Sequence, residues 1–142
     1  MDRPVDLPTT EKVKISVRDL NFYYGSFHAL KRINLDIPEH KVTAFIGPSG
    51  CGKSTLLRCI AGLPTGGDGS IRCNDETWFD ADAAINHPVQ ARRIGFVFQS
   101  YALFPHLTAL ENVAAALGGL TFAERTARAH ELLARVHLDG LE

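Results

Sequence analysis

Nine consecutive residues, Gly47-Pro48-Ser49-Gly50-Cys51-Gly52-Lys53-Ser54-Thr55, carry the pattern G-x-x-x-x-G-K-[ST] without a mismatch. Their chemistry is that of polyphosphate binding. Glycines at 47, 50 and 52 let the backbone curl until successive N–H groups face inward, where an anion supplies the partner those groups lack. Lys53, Ser54 and Thr55 are expected to open a helix, so that unpaired N–H groups, the positive end of the helix dipole and the Lys53 ammonium converge on the same phosphates. The Ser54 hydroxyl is left to hold Mg²⁺.

The flanking residues supply the order that such a loop needs. Val42-Thr43-Ala44-Phe45-Ile46 is a continuous apolar run, expected as a strand buried on both faces of a parallel sheet. After the loop, Leu56, Leu57, Ile60 and Ala61 recur at helical spacing, Gly62 suits the C-cap, and Pro64 stops continuation.

Upstream, residues 1–12 hold Pro4, Pro8 and several charges without periodicity and read as a loose tail. Val13, Ile15 and Val17 alternate with polar residues, Phe22-Tyr23-Tyr24 extends the β-favouring stretch, and Gly25 breaks it. Leu30, Ile33, Leu35 and Ile37 predict a second strand ending at Pro38, antiparallel to the first. Downstream, Thr65 to Gly69 predicts a flexible turn, and Ile71-Arg72-Cys73 and Thr77-Trp78-Phe79 predict short strands around Asn74-Asp75. Residues 80–91 read as loop. Ile94-Gly95-Phe96-Val97-Phe98 is a second apolar run, placing the polar Gln99 at the carboxyl end of a buried strand, where open α/β sheets bind ligands. Thr108-x-x-Glu111 and Thr121-x-x-Glu124 are capping boxes that each start a helix. The second helix sets Phe122, Ala129, Leu132, Leu133 and Val136 on one face and closes at Asp139-Gly140.

Composition narrows the class. The chain has 142 residues, an apolar fraction of 45% and a formal net charge of -1, which suits one compact domain or part of one and offers no field for nucleic acid. Cys51, Cys59 and Cys73 are odd in number and lack C-x-x-C spacing, so neither a disulfide framework nor a zinc site is indicated and a reducing cytosol is the simplest compartment. No apolar run approaches the eighteen or so residues that span a bilayer, so a membrane role is expected to come through a partner.

The phosphate loop, the upstream Tyr24-Gly25 and the apolar strand ending in Gln99 resemble, in that order, the ATPase subunits of ATP-binding cassette (ABC) importers. The resemblance implies an α/β fold: a P-loop NTPase core with an N-terminal antiparallel β subdomain (together 13–100) and the start of a helical subdomain (101–142). It implies ATP and Mg²⁺ as ligands, with Tyr24 stacked on adenine, Gly47 to Thr55 on the phosphates, Lys53 and Gln99 as catalytic groups, and Ser54 and Gln99 toward the metal. From the residues alone, a plain sheet tyrosine is the favoured reading of Tyr24, and Gln99 could equally be a solvated strand end. Leu103-Phe104-Pro105-His106 resembles the stretch that meets the transmembrane permease subunit, although Leu103 and Phe104 could instead be core of the helical subdomain and His106 structural. A second ATPase subunit and a peripheral position on the cytoplasmic face of the membrane are also implied.

Two subtypes show through. Leu20 to Lys31 and the loop with Cys51 are similar to phosphate importer ATPases, which makes an inorganic oxyanion such as phosphate the expected solute. Thr77-Trp78-Phe79-Asp80 and Arg92 to His106 are more similar to molybdate, sulfate or polyamine importers. The family's second apolar strand ending in Asp-Glu, its Leu-Ser-Gly-Gly-Gln signature and its switch histidine do not occur, so the chain reads as the N-terminal portion of the domain. Without that glutamate the in-line attack of water loses its main helper, so a fragment that binds nucleotide without hydrolysis is the competing expectation. A GTPase is excluded by the lack of Asn-Lys-x-Asp, and small-molecule kinases offer no counterpart of Tyr24-Gly25 or Phe98-Gln99. Cys51, among inward-facing N–H groups at a helix start, is expected to react with maleimide more slowly when ATP is bound.

Overall fold

The computed structural model describes residues 12–64, 66–138 and 140. Residues 1–11 of the tail expected at 1–12, Thr65 in the expected turn and Asp139 at the expected helix end lie outside the described residues. The chain divides into two compact units, Met1–Phe96 and Val97–Glu142.

The first unit is built on an antiparallel sheet of order β2-β1-β3-β4-β5. Its strands are β1 (Val13–Tyr24), β2 (Phe27–Pro38), β3 (Asp68–Cys73), β4 (Glu76–Asp80) and β5 (Ile85–Asn86). Tyr24 pairs with Phe27 across the Gly25-Ser26 turn, so the expected hairpin forms. The alternation of β1 does not run straight through. Asp19 takes a φ of 46° at a register shift between Val17 and Leu20. This irregularity moves the buried series from Val17 to Leu20 and Phe22, so residues three apart share the core face.

Onto that face packs α1 (Lys53–Ala61), whose Leu56, Cys59 and Ile60 join Val17, Leu20, Phe22, Leu30, Ile71, Cys73, Trp78 and Phe79 in one core. Burial pushes the Cys59 thiol up to about 11, so it acts as a small apolar group. Gly62 takes a left-handed φ of 77°, and the Leu63 N–H reaches the Arg58 carbonyl at 3.0 Å, the helix ending that the sequence implied.

Two expected strands are absent. Neither Val42–Ile46 nor Ile94–Phe98 lies in a strand, and Val42, Ile46 and Val97 are 98%, 94% and 96% exposed. Only Phe45 and Ile94 of these runs are packed against the core as partly buried residues. A parallel strand draws its ladder from neighbours on both sides and its cover from helices on both faces. Among the described residues no strand is paired alongside either run, so their apolar character is not matched by a sheet. Residues 80–91, expected as loop, hold β5 and the start of a 3₁₀ turn, Val89–Arg92. The His87 N–H donates to the Trp78 carbonyl at 2.8 Å and continues the β4–β5 edge.

The second unit contains α2 (Ala109–Ala115) and α3 (Phe122–Arg135). Both capping boxes form as read from sequence. The Thr121 N–H donates to Glu124 Oε2 at 2.9 Å, and the Glu124 N–H points back to Thr121 Oγ1 at 3.4 Å. On α3, Ala129 and Leu133 are buried, whereas Phe122 and Val136 are exposed, so the apolar face is narrower than expected. The helix ends at Arg135 with Val136 as its cap, short of Gly140.

The hydrogen bonds from Thr121 hold the Glu124 carboxyl below its ordinary value of 4.5. A depressed folded-state carboxylate contributes stability above its unfolded pKa and loses it as pH falls through the folded value. Fraying of α3 is therefore expected only below pH 4.5. Replacing Thr121 with Ala removes the N-cap oxygen, with an expected loss of about 1 kcal/mol. Thermal melts of the wild type and Thr121→Ala at pH 7 and pH 3 check both, and an equal difference at the two pH values contradicts the linkage.

Candidate phosphate-binding site

The loop turns on two left-handed glycines, Gly50 at φ 80° and Gly52 at φ 96°. Gly52 is the N-cap of α1 and supplies no side chain to the helix N–H groups, and the first turn holds no acidic residue. The Leu56 N–H donates to the Gly52 carbonyl at 2.8 Å, which starts the helical ladder one turn in. The earlier N–H groups therefore have no side-chain cap at the positive end of the helix, the arrangement that favours an anion.

Lys53 folds back over the loop. Its Nζ donates to the carbonyls of Gly47 and Pro48, both at 2.8 Å, and lies 3.5 Å from Cys51 Sγ. The ammonium thus sits across the curl of main chain and carries the loop's full positive charge. Cys51 and Ser54 are exposed. Among the described residues no three His, Cys, Asp or Glu side chains gather as a metal-holding group. The donor set fits Mg²⁺ as a partner of phosphate: one exposed hydroxyl at Ser54 beside the loop, with the remaining oxygens expected from phosphates and water.

The β1–β2 hairpin brings Tyr24 toward this loop. A Cβ placed on Gly52 would lie 2.8 Å from Leu30 Cδ2 and 3.4 Å from the Ala29 carbonyl oxygen, so β2 packs directly against the loop. Leu30 pairs with Phe22, and Tyr24 follows two residues along β1, about 7 Å at strand rise. The Tyr24 ring is 47% exposed and stands edge-on to Phe22 at 5.0 Å. Tyr23 instead stacks on His28 at 4.2 Å.

Gln99 belongs to the second unit, exposed and outside any strand. Tyr101, Leu103 and Phe104 are also exposed, which removes the reading of Leu103 and Phe104 as core. The Phe104 ring meets the His106 ring edge-on at 6.1 Å. Asn112, which drew no attention in the sequence, braces this stretch. Its Oδ1 accepts from the Phe104 N–H at 2.8 Å, and its Nδ2 donates to the Phe104 and Leu107 carbonyls at 3.1 and 3.0 Å.

Arg92 enters the sequence reading only as the start of the stretch to His106, with nothing to signal its burial. It is 2% exposed, and its guanidinium donates to the Cys59 and Ile60 carbonyls at the far end of α1. No periodicity marks an arginine for burial; the acceptors that make it possible come from segments far apart in the chain.

The protein-family profile described as ABC transporter matches residues 30–142. The chain belongs to the ABC transporter family. The sulfate/thiosulfate import ATP-binding protein CysA of Neisseria meningitidis serogroup B is 44% identical over 135 residues, covering 91% of this chain and 36% of that protein. The Fe(3+) ions import ATP-binding protein FbpC of Escherichia coli K12 is 41% identical over 135 residues, covering 94% and 37%. The ABC chain thus spans little more than a third of the length of these relatives. Among solved structures, the dimeric bacterial ABC transporter cassette MJ0796 superposes with a TM-score of 0.69 at 34% identity, covering 89% of this chain and 58% of that one. A post-hydrolysis state of the same cassette, bound to ADP and Pi, gives 0.67 at 34% identity, again covering 89% and 58%. The P-loop ABC fold read from the sequence is therefore shown, while the likeness of Leu20 to Lys31 to phosphate importers gains no support from these relatives.

Proposed function

We propose that the chain is the nucleotide-binding part of an ABC importer ATPase, with ATP as its ligand and Mg²⁺ as the accompanying cation. The observation that carries this is the left-handed turn at Gly50 and Gly52 leading into an uncapped helix start, with the Lys53 ammonium folded over it. Gly47 to Thr55 would cradle the phosphates through main-chain N–H groups, and Tyr24 would stack on adenine from the adjoining hairpin. Ser54, with Gln99, would hold Mg²⁺, which when bound neutralises the phosphate oxygens. Gln99 suits a place near the γ-phosphate because its amide both accepts and donates without carrying charge.

The division into a β and P-loop core over 13–100 and the start of a helical subdomain over 101–142 belongs to the same proposal. So do the partners: a second ATPase subunit, and a permease met by the exposed Leu103 to His106. In that arrangement the protein works peripherally on the cytoplasmic face of the membrane. For the solute, the relatives favour sulfate or thiosulfate over phosphate, consistent with the likeness carried by Thr77 to Asp80 and Arg92 to His106. Ferric iron is a second reading that rests on the 41% identity to FbpC.

Titration calorimetry of the folded chain with magnesium ATP is expected to give saturable heat. Its absence from a sample with intact secondary structure overturns the nucleotide assignment. A phosphate-release assay then separates turnover from binding alone.

A further inference from the structure

Arg92 is a buried cation whose every donor is used and whose charge faces no carboxylate among the described residues. Its Nε donates to the His87 carbonyl at 3.0 Å. Its Nη1 donates to the Cys59 and Ile60 carbonyls at 3.0 and 2.8 Å, and its Nη2 to the Trp78 carbonyl and Asn86 Oδ1 at 3.4 and 3.2 Å. The guanidinium carbon lies 5.8 Å from the Trp78 ring centroid. Burial lowers the Arg92 pKa from its ordinary value, and the nearby Cys59 is the one group that opposes the shift. What balances the charge is then the negative end of α1, where the Cys59 carbonyl also accepts from the Gly62 N–H at 3.0 Å and the Ile60 carbonyl takes the shorter guanidinium bond.

That helix is short. Nine residues from Lys53 to Ala61 span about 13 Å, so the guanidinium and the phosphate loop sit at opposite ends of the same dipole. The contact is also close. A Cβ on Gly62 would fall 2.6 Å from Arg92 Cζ, so a glycine at the helix end is what lets the guanidinium reach the carbonyls. The other half of the fork grips Trp78, Asn86 and His87, which ties the axis of α1 to the β4–β5 edge.

We infer that Arg92 is a positioning residue for the phosphate loop: it fixes the axis of α1 and cancels the negative end of its dipole, raising the pull of the opposite end on anions. This rests on the assignment of ATP to the loop. Cancelling one pole leaves the positive end less opposed, and burial keeps water from screening the effect.

The test uses the 142-residue chain and calorimetry with magnesium ATP, ADP and adenosine. Arg92→Met is expected to raise the Kd for ATP and ADP about tenfold, the size expected of two unit charges about 13 Å apart at an effective dielectric constant near 20, and to leave adenosine unchanged. Arg92→Lys, which keeps charge but not the fork, is expected to recover part of the loss. Asn86→Ala leaves the guanidinium in place with four of its five acceptors and guards against a misfolded Arg92→Met; it is expected to weaken ATP binding two- to threefold. Hydrogen exchange at the first amides of α1 should rise in each variant before global unfolding. If wild type binds ATP while folded variants bind it equally well, or lose adenosine and ATP in the same proportion, the inference fails and the loop assignment stands. If wild type itself does not bind, both fail.

Discussion

Replacing Lys53 with Ala is expected to weaken magnesium ATP binding about 100-fold while leaving the fold intact. Among the described residues the ammonium bonds to the Gly47 and Pro48 carbonyls and lies near Cys51, at an exposed loop. Water can take over those carbonyls, so the loss to folding should stay within about 0.5 kcal/mol, as for surface substitutions. Binding is different. An ammonium bonded to a phosphate makes charge-assisted hydrogen bonds worth about 1.5 to 3 kcal/mol, and leaving the anion there without its cation costs more. Calorimetry on Lys53→Ala and on the neutral, similarly long Lys53→Met should give the same loss, because the charge and not the stem makes the contact. Undiminished affinity in both would remove the loop from nucleotide binding altogether.

The second large effect is on stability. Gly52→Ala is expected to destabilise the chain by about 2 to 5 kcal/mol, the sum of a left-handed backbone for an L-residue and overpacking against Leu30. The φ of 96° supplies the first part, and the 2.8 Å approach to Leu30 Cδ2 supplies the second. Leu30 is 3% exposed, so it cannot swing aside without disturbing the core. Gly50→Ala is the control, since its φ of 80° is equally left-handed but its Cβ would meet nothing within 4 Å. It should cost about 1 to 2 kcal/mol. Thermal melting of the two variants isolates packing from backbone strain, and a Gly52→Ala chain as stable as Gly50→Ala would refute the close fit of β2 to the loop.

How far the sequence was legible depends on how local each signal is. The glycine turn into α1, the Gly62 ending of α1, the β1–β2 hairpin and both capping boxes match the sequence reading because each is decided within a few residues. A glycine is needed for a given φ, a threonine oxygen reaches an N–H three residues on, and apolar spacing names a face. Val42–Ile46 and Ile94–Phe98 were misread as strands for the opposite reason. A continuous apolar run states that a segment favours burial, but a parallel strand exists only where neighbours supply its ladder.

The sequence by itself therefore determined the family and the glycine turn that leads into α1, since residue type and spacing within a few residues specify both. Only the tertiary structure decided that Asp19 shifts the register of β1, that Leu30 limits Gly52, and that Arg92 lies buried at the far end of α1. The physical reason is distance along the chain. The carbonyls that accept from Arg92 lie up to 33 residues away, and a charge is buried only when such partners meet around it.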